Sequence, residues 1–355
     1  MDIPQTALGG IPSVDDYRDH IVTASFAPLA SVSLPNVFQS TLAQPVMMQS
    51  QEPACVAHDI TDLIKLWWFR QHGEWVDFSP RFLDILSAEP DIPLDGGRRP
   101  RTVLKIAVKQ GICTTATLPN DTNLPIAQYR DKLAITPAAY AEAQKYVIPG
   151  YFRVAMDLQS TRAAIFRYGA VTTLMQIGKE MYTAANGTTS WAEADIVPLR
   201  TPAVVISGHQ MGQKGWQDDK FNTLRNEWSS AWARQGENDI DYNAWLPFIY
   251  EQWAIAQIPQ NISDFLQHLP SPTDFHYAWS TDMKRGDNSI DVKFAQVALM
   301  ILGYMTAVSP DELGIYGPKT SAAVLKYQTA KGISPTAPDS IGPKTRAALN
   351  AQFAI

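Results

Sequence analysis

The stretch that decides the fold is Gln49-Ser50-Gln51-Glu52-Pro53-Ala54-Cys55, followed directly by Val56-Ala57-His58-Asp59-Ile60-Thr61-Asp62-Leu63-Ile64-Lys65-Leu66-Trp67-Trp68. A loop ends at Pro53, and a helix is predicted from Cys55 because apolar residues recur at helical spacing as one buried stripe. A thiol at a helix N-terminus lies near unpaired N–H groups and the positive end of the helix dipole, which favour a thiolate. The alternative is a small buried cysteine that opens a core helix, because free cysteine is usually structural.

Length and composition bound the possible functions. The 355 residues indicate two domains, and 45% hydrophobic content with 10% aromatics supports a sizeable core. The net charge of −6 comes without a basic stripe, which argues against nucleic acid as a partner. No run of about 18 apolar residues is present, so no membrane span is predicted. No secretory signal is visible at the N-terminus. Two cysteines, Cys55 and Cys113, do not make a disulfide framework.

Secondary-structure patterns predict an α+β fold followed by a small all-α domain. Helical patterns dominate up to Tyr168, and strands rich in β-branched residues follow from Val171, an order typical of α+β proteins. Near the end, Gly-Pro-Lys-Thr occurs at 317–320 and again at 342–345, each time ahead of an Ala-rich helix. The predicted division is an N-terminal extension laid over a domain (1–32), a large domain (33–262), a linker (263–288) and a helical domain (289–355).

A second group of polar residues supplies what a thiolate nucleophile needs. Ser207-Gly208-His209-Gln210-Met211 is placed at the end of a predicted strand, and Asn226-Glu227-Trp228 follows. An imidazole activates a thiol, an amide oxygen fixes the tautomer of that imidazole, and an aromatic lid excludes water from their hydrogen bond. The hypothesis assigns these roles to Cys55, His209, Asn226 and Trp228.

Further candidates surround this set. Gln49 is predicted to donate a side-chain N–H to an oxyanion, with Gln51 as the alternative. Gly96 and Gly97 form a turn where backbone can approach a ligand closely, although a plain loop would show the same pattern. His58 is interpreted as a packed helix histidine. No His, Cys and carboxylate residues have metal-ligand spacing, so neither a metal nor another cofactor is predicted.

Together these motifs resemble the papain-like cysteine peptidases, in the bacterial form that lacks structural disulfides. The resemblance covers about residues 10–258, through a Gln six residues before a Cys, a later His and an Asn-x-Trp run. It implies a helical lobe followed by an antiparallel β lobe, and no cofactor. It implies the catalytic residues Cys55, His209, Asn226 and Gln49, and the substrate-binding residues Gly96, Gly97, Gly208 and Trp228. The chain departs from the family where Glu227 replaces the usual Ser and where Ser229 and Ala233 replace glycines.

The C-terminal region is similar to small three-helix peptidoglycan-binding domains. The similarity spans about 290–350 and depends on four ordered segments: 292–299, 302–304, 316–320 and 324–328. Leu313-Gly314-Ile315 stands in place of the family's usual Asp-Gly, which leaves the ligand open. The alternative is a helical module for packing or partner docking.

The sequence therefore predicts a cysteine endopeptidase that works through a thioester and is targeted to the cell wall by its tail. Its expected partners are a peptide or protein substrate and peptidoglycan, the latter bound through residues 289–355. A secreted or envelope-associated location is favoured by that tail. Two alternatives stay open: a hydrolase of peptidoglycan peptide cross-links, and a non-catalytic wall-binding protein on a protease scaffold.

Overall fold

The computed structural model describes residues 8–14, 21–22, 34–42, 45–49, 53–181, 199–200, 205–255, 277–306, 312, 314–334, 337 and 339–353. The chain divides into two compact units. The first comprises residues 1–14 and 33–256, and the second comprises 15–32 and 257–355. The second unit contains a two-residue strand, β1 (Ile21–Val22).

The first half of the first unit is a helical lobe, as predicted. Its central helix, α1 (Cys55–His72), is buried on every side from Cys55 to Leu66 rather than along one stripe. The reason is that α1 contacts two other helices and also the β-sheet, so none of its first three turns faces solvent. The other helices are α2 (Pro80–Leu86), α3 (Pro100–Lys109), α4 (Ile126–Tyr129), α5 (Pro137–Ala143) and α6 (Leu158–Tyr168).

Proline starts three of these helices at a position where its missing N–H costs nothing. Ser79 lies at the N-cap position of α2, but its side chain makes no capping hydrogen bond. Thr136 and Asp157 do cap their helices, because each side chain accepts from a backbone N–H three residues on.

The second half is an antiparallel β lobe, as predicted. Its strands run in the order β3-β8-β4-β5-β6-β7, and β2 pairs with β5. A short helix, α7 (Tyr242–Trp245), precedes β8. The strands are β2 (Phe38–Gln39), β3 (Tyr151–Val154), β4 (Val171–Gly178), β5 (Val205–Trp216), β6 (Phe221–Arg225), β7 (Glu237–Asp241) and β8 (Ile249–Ile255).

The prediction that His209 lies at the end of a strand is wrong. His209 pairs with Met175 in the interior of β5, which continues to Trp216. The glycines that resembled a strand end instead permit close approach. A Cβ on Gly215 would lie 2.2 Å from the carbonyl oxygen of Phe38, and a Cβ on Gly212 would lie 3.1 Å from Asp59 Oδ1. Glycine therefore lets β2 and α1 pack onto β5.

In the described part of the second unit, three helices enclose a hydrophobic core of their own, as predicted: α8 (Ile290–Ile301), α9 (Pro318–Ala330) and α10 (Pro343–Phe353). The core also includes Trp279 and Met283, which fall within the predicted linker; residues 256–276 lie outside the described residues. No described helix has the length and hydropathy needed to cross a membrane.

The repeat in the second unit extends to its buried polar contacts. The side-chain amide of Gln296 on α8 donates to the Thr320 hydroxyl at the start of α9. In the same way, Gln328 on α9 donates to the Thr345 hydroxyl at the start of α10. Both glutamines are buried, and each also accepts from a loop N–H through its amide oxygen. Each copy of the Gly-Pro-Lys-Thr motif therefore starts a helix. Its Thr hydroxyl also accepts a hydrogen bond from the buried glutamine of the preceding helix, which fixes the two helices together.

Candidate active site

The thiol of Cys55 lies at the N-terminus of α1 and is completely buried. It accepts hydrogen bonds from two backbone N–H groups, those of Gln210 on β5 and Gly9 in the N-terminal segment. Burial raises the pKa of Cys55 to about 12, and these two hydrogen bonds only partly oppose it. The helix N-terminus was expected to favour a thiolate, but exclusion of water outweighs it in this arrangement, and Cys55 is a neutral thiol.

His209 is the neighbour of Gln210, and its imidazole is oriented by Asn226. The distance from His209 Nε2 to Asn226 Oδ1 is 2.8 Å. An amide oxygen only accepts, so Nε2 carries the proton and Nδ1 keeps its lone pair. Within the described chain Nδ1 has no hydrogen-bond partner. Burial lowers the pKa of His209 to about 4, so the ring is neutral.

An aromatic residue covers this pair. The ring of Trp228 lies 4.8 Å from the imidazole of His209, centroid to centroid, at an angle of 44°. Trp232 packs edge-on against Trp228 with a centroid distance of 5.9 Å. The backbone N–H of Asn226 donates to the carbonyl of Gly236 at 3.0 Å, which fixes the loop that carries the orienting amide. Water is thereby kept from the imidazole–amide hydrogen bond.

Gln49 lies beside the same loop. Its backbone N–H donates to the carbonyl of Glu227 at 3.0 Å, and the preceding Met48 forms a β-bridge with Trp228. Its side chain is fully buried. The structure therefore brings Gln49 next to the Asn226–Trp228 run, whereas the competing Gln51 lies outside the described residues.

Two of the predicted substrate-binding glycines, Gly97 and Gly208, contact the chain's own N-terminal segment, residues 8–14, here called the arm. The N–H of Arg98 donates to the carbonyl of Gly9 at 2.8 Å, and the N–H of Ile11 donates to the carbonyl of Arg98 at 3.1 Å. On the opposite side, the N–H of Gly10 donates to the carbonyl of Gly208 at 3.4 Å. The arm therefore runs between the Gly97–Arg98 edge and β5, directly over Cys55.

Glycine is required where the arm crosses the thiol. A Cβ on Gly9 would lie 2.1 Å from the carbonyl oxygen of Pro53, and a Cβ on Gly97 would lie 1.9 Å from the carbonyl oxygen of Gly9. Both distances are too short for any side chain. The sequence reasoning missed Gly9, although the Gly9-Gly10 pair in an otherwise irregular segment was a signal for close backbone approach.

A polar network that the sequence reasoning also missed ties α1 to β5. The side-chain amide of Gln210 donates to the hydroxyl of Thr172, and that hydroxyl donates to the carboxylate of Asp59. Asp59 lies one helical turn after Cys55, so the network holds the nucleophile's helix against the strand that carries His209. An acid inside a fully buried stretch of helix was the available signal, because such a group needs a partner.

Glu227, which replaces the serine usual in the papain-like family, lies in a buried cluster of charged residues. Glu227 is fully buried in a pocket with Asp59, Asp62 and Arg225. Arg225 Nε pairs with Asp62 Oδ2 at 2.7 Å. Burial and the neighbouring carboxylates raise the pKa values of both Glu227 and Asp59. Two buried acids with raised pKa values, Glu227 and Asp59, therefore lie behind the site, beside the ion pair of Asp62 and Arg225.

The two replaced glycines keep a glycine-like backbone. Ser229 has φ of 74° and Ala233 has φ of 42°, both in the left-handed region. A non-glycine residue there costs roughly 1–2 kcal/mol. The loop that carries Asn226 and Trp228 thus retains its path although its glycines are gone.

His58 faces away from the thiol. Its Nδ1 lies 2.9 Å from the carbonyl oxygen of Ala54, and its Nε2 lies 3.0 Å from Asn120 Nδ2. One nitrogen donates and the other accepts, so both contacts fit a neutral ring, and burial lowers the pKa of His58 to about 4. Among the described residues, no group of His, Cys, Asp and Glu is arranged to hold a metal ion.

Replacing His58 by glutamine should reduce the acid sensitivity of the fold. Unfolded His58 takes up a proton as the pH falls below its ordinary pKa of 6.5, while folded His58 stays neutral down to a pKa of about 4. Its stabilising contribution is therefore complete above pH 6.5 and lost as the pH falls towards 4. Between pH 7 and pH 5, the wild-type chain should lose about 1–2 kcal/mol more unfolding free energy than His58→Gln. Urea unfolding at both pH values measures this, and equal losses would contradict it.

Comparison with solved structures supports the architecture. Xylellain, a cysteine protease from Xylella fastidiosa, superposes with a TM-score of 0.60 at 20% identity, over 73% of this chain and 98% of that chain. The chain has the papain-like fold. The procathepsin B S9 from Trypanosoma congolense has the same fold, with a TM-score of 0.55 at 15% identity, over 71% of this chain and 87% of that chain.

The second unit is covered by a separate comparison. Residues 288–349 match the model of a family described as peptidoglycan binding domain. The papain-like unit is therefore followed by a three-helix domain of that kind. No curated protein sequence matches the chain significantly.

Proposed function

We propose that this papain-like protein is a cysteine endopeptidase that hydrolyses peptide bonds through Cys55, His209 and Asn226. The observation that carries the proposal is the tautomer of His209. Asn226 Oδ1 accepts a hydrogen bond from Nε2–H of His209, which leaves the lone pair on Nδ1 to act as the base. The next residue along β5, Gln210, donates its backbone N–H to the thiol, so base and nucleophile are held by consecutive residues of one strand.

The mechanism requires the arm to leave the cleft first. His209 then removes the proton from Cys55, and the thiolate attacks the substrate carbonyl carbon. The Cys55 backbone N–H and the Gln49 side chain stabilise the oxyanion. The imidazolium gives its proton to the leaving amine, and a thioester with Cys55 remains. Water, deprotonated by His209, hydrolyses the thioester and releases the second product.

The path of the arm supports an extended peptide as the substrate. Three main-chain hydrogen bonds hold the arm, and they involve Arg98 N–H, Arg98 C=O and Gly208 C=O. None of them depends on the identity of a side chain in the arm. Such bonds recognise any extended chain, while adjoining pockets supply selectivity. The Gly97–Arg98 edge and Gly208 are therefore proposed as the main-chain binding groups, with Gly96 supporting the edge.

The C-terminal domain supports a cell-wall setting. We propose that residues 289–355 bind peptidoglycan, on the strength of the family match over 288–349. That match also favours one second candidate, a hydrolase of peptidoglycan peptide cross-links, because binding to the wall would bring such bonds to the cleft. The chemistry at Cys55 is the same in both cases.

One experiment separates these functions. Unfolded casein and purified sacculi are each incubated with the full chain and with a Gly9→Val variant, which cannot seat the arm. If casein is cleaved and the sacculi stay intact, a protein substrate is supported. If wall peptides are released from the sacculi, the second candidate is supported. An epoxide inhibitor of thiol peptidases should stop either activity and add once, to the Cys55 peptide and not to that of Cys113. Binding to sacculi without hydrolysis or an adduct in both proteins would show a non-catalytic protein instead.

A further inference from the structure

A buried arginine joins the two segments that flank the thiol. Arg130 is 4% exposed and follows α4 directly. A guanidinium has five N–H donors, and Arg130 makes five hydrogen bonds. Two go to the carboxylate of Asp84, from Nε at 2.7 Å and from Nη2 at 3.0 Å. The other three go to backbone carbonyl oxygens: Leu94 and Gly96 from Nη1, and Pro53 from Nη2 at 3.2 Å.

The three carbonyls belong to two segments, which form two walls of the cleft beside the thiol. Pro53 lies two residues before Cys55, in the loop that presents the thiol. Leu94 and Gly96 lie immediately before the Gly97–Arg98 edge, which pairs with the arm on its other side. A single planar group therefore sets the spacing between the nucleophile and the edge that binds an extended chain.

Asp84 makes this arrangement stable. It is fully buried, and its bidentate contact neutralises the guanidinium of Arg130, which would otherwise be a costly buried charge. Its backbone carbonyl accepts from Arg98 Nε at 2.8 Å, while Arg98 Nη1 donates to the carbonyl of Gly97 at 2.9 Å. Asp84 thus anchors the edge twice, through the side chains of Arg130 and Arg98.

We propose that Arg130 is a positioning residue for peptide hydrolysis. It holds the Gly97–Arg98 edge in register with the Pro53–Cys55 loop, so that a peptide bound along the edge presents its carbonyl to the thiol. The inference rests on the proposed endopeptidase function. Lysine cannot replace Arg130, because one ammonium carries three donors on a single nitrogen and cannot bind a carboxylate bidentately while bridging three carbonyls.

The test compares a long and a short substrate. A fluorogenic octapeptide spans the edge, whereas p-nitrophenyl acetate reaches only the thiol. The Arg130→Lys substitution is made in the full wild-type chain and in the full Gly9→Val chain. Turnover of both substrates is then compared between each variant and its parent. For the peptide, kcat should fall about 100-fold with KM changed less than about threefold, because misplacement by about 1 Å costs that much. Ester turnover should change by less than about threefold, because the thiol and His209 are untouched.

Arg162→Lys is the matched control. Arg162 is 7% exposed, and its guanidinium bonds the Asn222 side chain at 2.9 Å and the Phe221 carbonyl, away from both cleft walls. Both substrates should be turned over normally by that variant. If Arg130→Lys does not fold, Arg130→Gln removes the same bridge while Asp84 keeps its ion pair with Arg98 Nε at 3.5 Å, and it should give the same peptide-specific loss.

The outcomes separate the two proposals. Equal loss of peptide and ester turnover in Arg130→Lys, or no loss of either, would overturn the positioning role while the peptidase function stands. Absence of any hydrolysis in the parent chain and in Gly9→Val would overturn the function, and the positioning role with it.

Discussion

Replacing Cys55 by serine should lower kcat/KM for an unfolded protein substrate by at least about 10⁴-fold. Serine is a far weaker nucleophile than cysteine at neutral pH, and His209 is positioned to activate a thiol. Removing one member of a catalytic unit costs nearly as much as removing all of them. The double variant Cys55→Ser/His209→Ala should therefore be little worse than either single variant. Progress curves with fluorescent casein measure all three.

Cys113 provides the control for this series. It is the second free cysteine, is equally buried, and lies in the core of the helical lobe rather than at the cleft. Cys113→Ala should keep peptidase activity within about threefold, with a loss of about 1–2 kcal/mol in stability from the smaller side chain. Undiminished hydrolysis by Cys55→Ser would remove Cys55 from the mechanism, whatever the control shows.

Gly9→Val should raise the rate at which Cys55 reacts with iodoacetamide by about 10- to 100-fold. The added side chain meets the carbonyl oxygen of Pro53, a backbone atom that cannot move aside. A clash of this kind costs about 1–3 kcal/mol, enough to displace the arm. Water then reaches the thiol, the cost of burying a thiolate falls, and the pKa of Cys55 moves down from about 12. The pH profile of alkylation should shift to lower pH accordingly.

Gly10→Ala is the matched control for the arm. Its added methyl meets the end of the Leu174 side chain, which can rotate, and lies 3.5 Å from the Gly208 backbone. The arm should stay seated, and alkylation should change by less than about threefold. Equal alkylation in the wild-type chain and Gly9→Val would show that the arm does not limit access to the thiol.

The sequence predicts those features of the fold that depend on local pattern. The helix at Cys55 and the duplicated helix starts at Pro318 and Pro343 follow from helical spacing and from Pro at the first turn. The position of His209 within β5 does not follow from local pattern. Glycines at 208, 212 and 215 weaken the strand signal. In the structure, Gly208 and Gly215 admit neighbouring backbone and Gly212 admits the Asp59 carboxylate, so β5 continues past His209.

In the candidate site, too, the sequence predicts residues that belong to a recognisable pattern and misses those whose roles depend on distant contacts. Cys55, His209, Asn226 and Gln49 were predicted because their chemical types and order resemble a known peptidase pattern. Arg130 and Gly9 were missed because their roles depend on contacts with residues 77 and 88 positions away, at Pro53 and Gly97. The acids at 59 and 227 were visible in the sequence, but their burial was not, because it follows from packing α1 onto the sheet.

The hydrogen bond from Gly9 to the thiol also bears on oxidative damage. Peroxides oxidise thiolates, and susceptibility follows thiolate character and exposure, from reversible sulfenic acid to irreversible sulfonic acid. With the arm seated, Cys55 is a fully buried neutral thiol, so both conditions for attack are absent. The covered protein can therefore persist in oxidising surroundings without losing its nucleophile. Under the proposed function, the exposure that admits a substrate once the arm leaves also admits peroxide, so Cys55 of the uncovered protein should lose reactivity with time in peroxide.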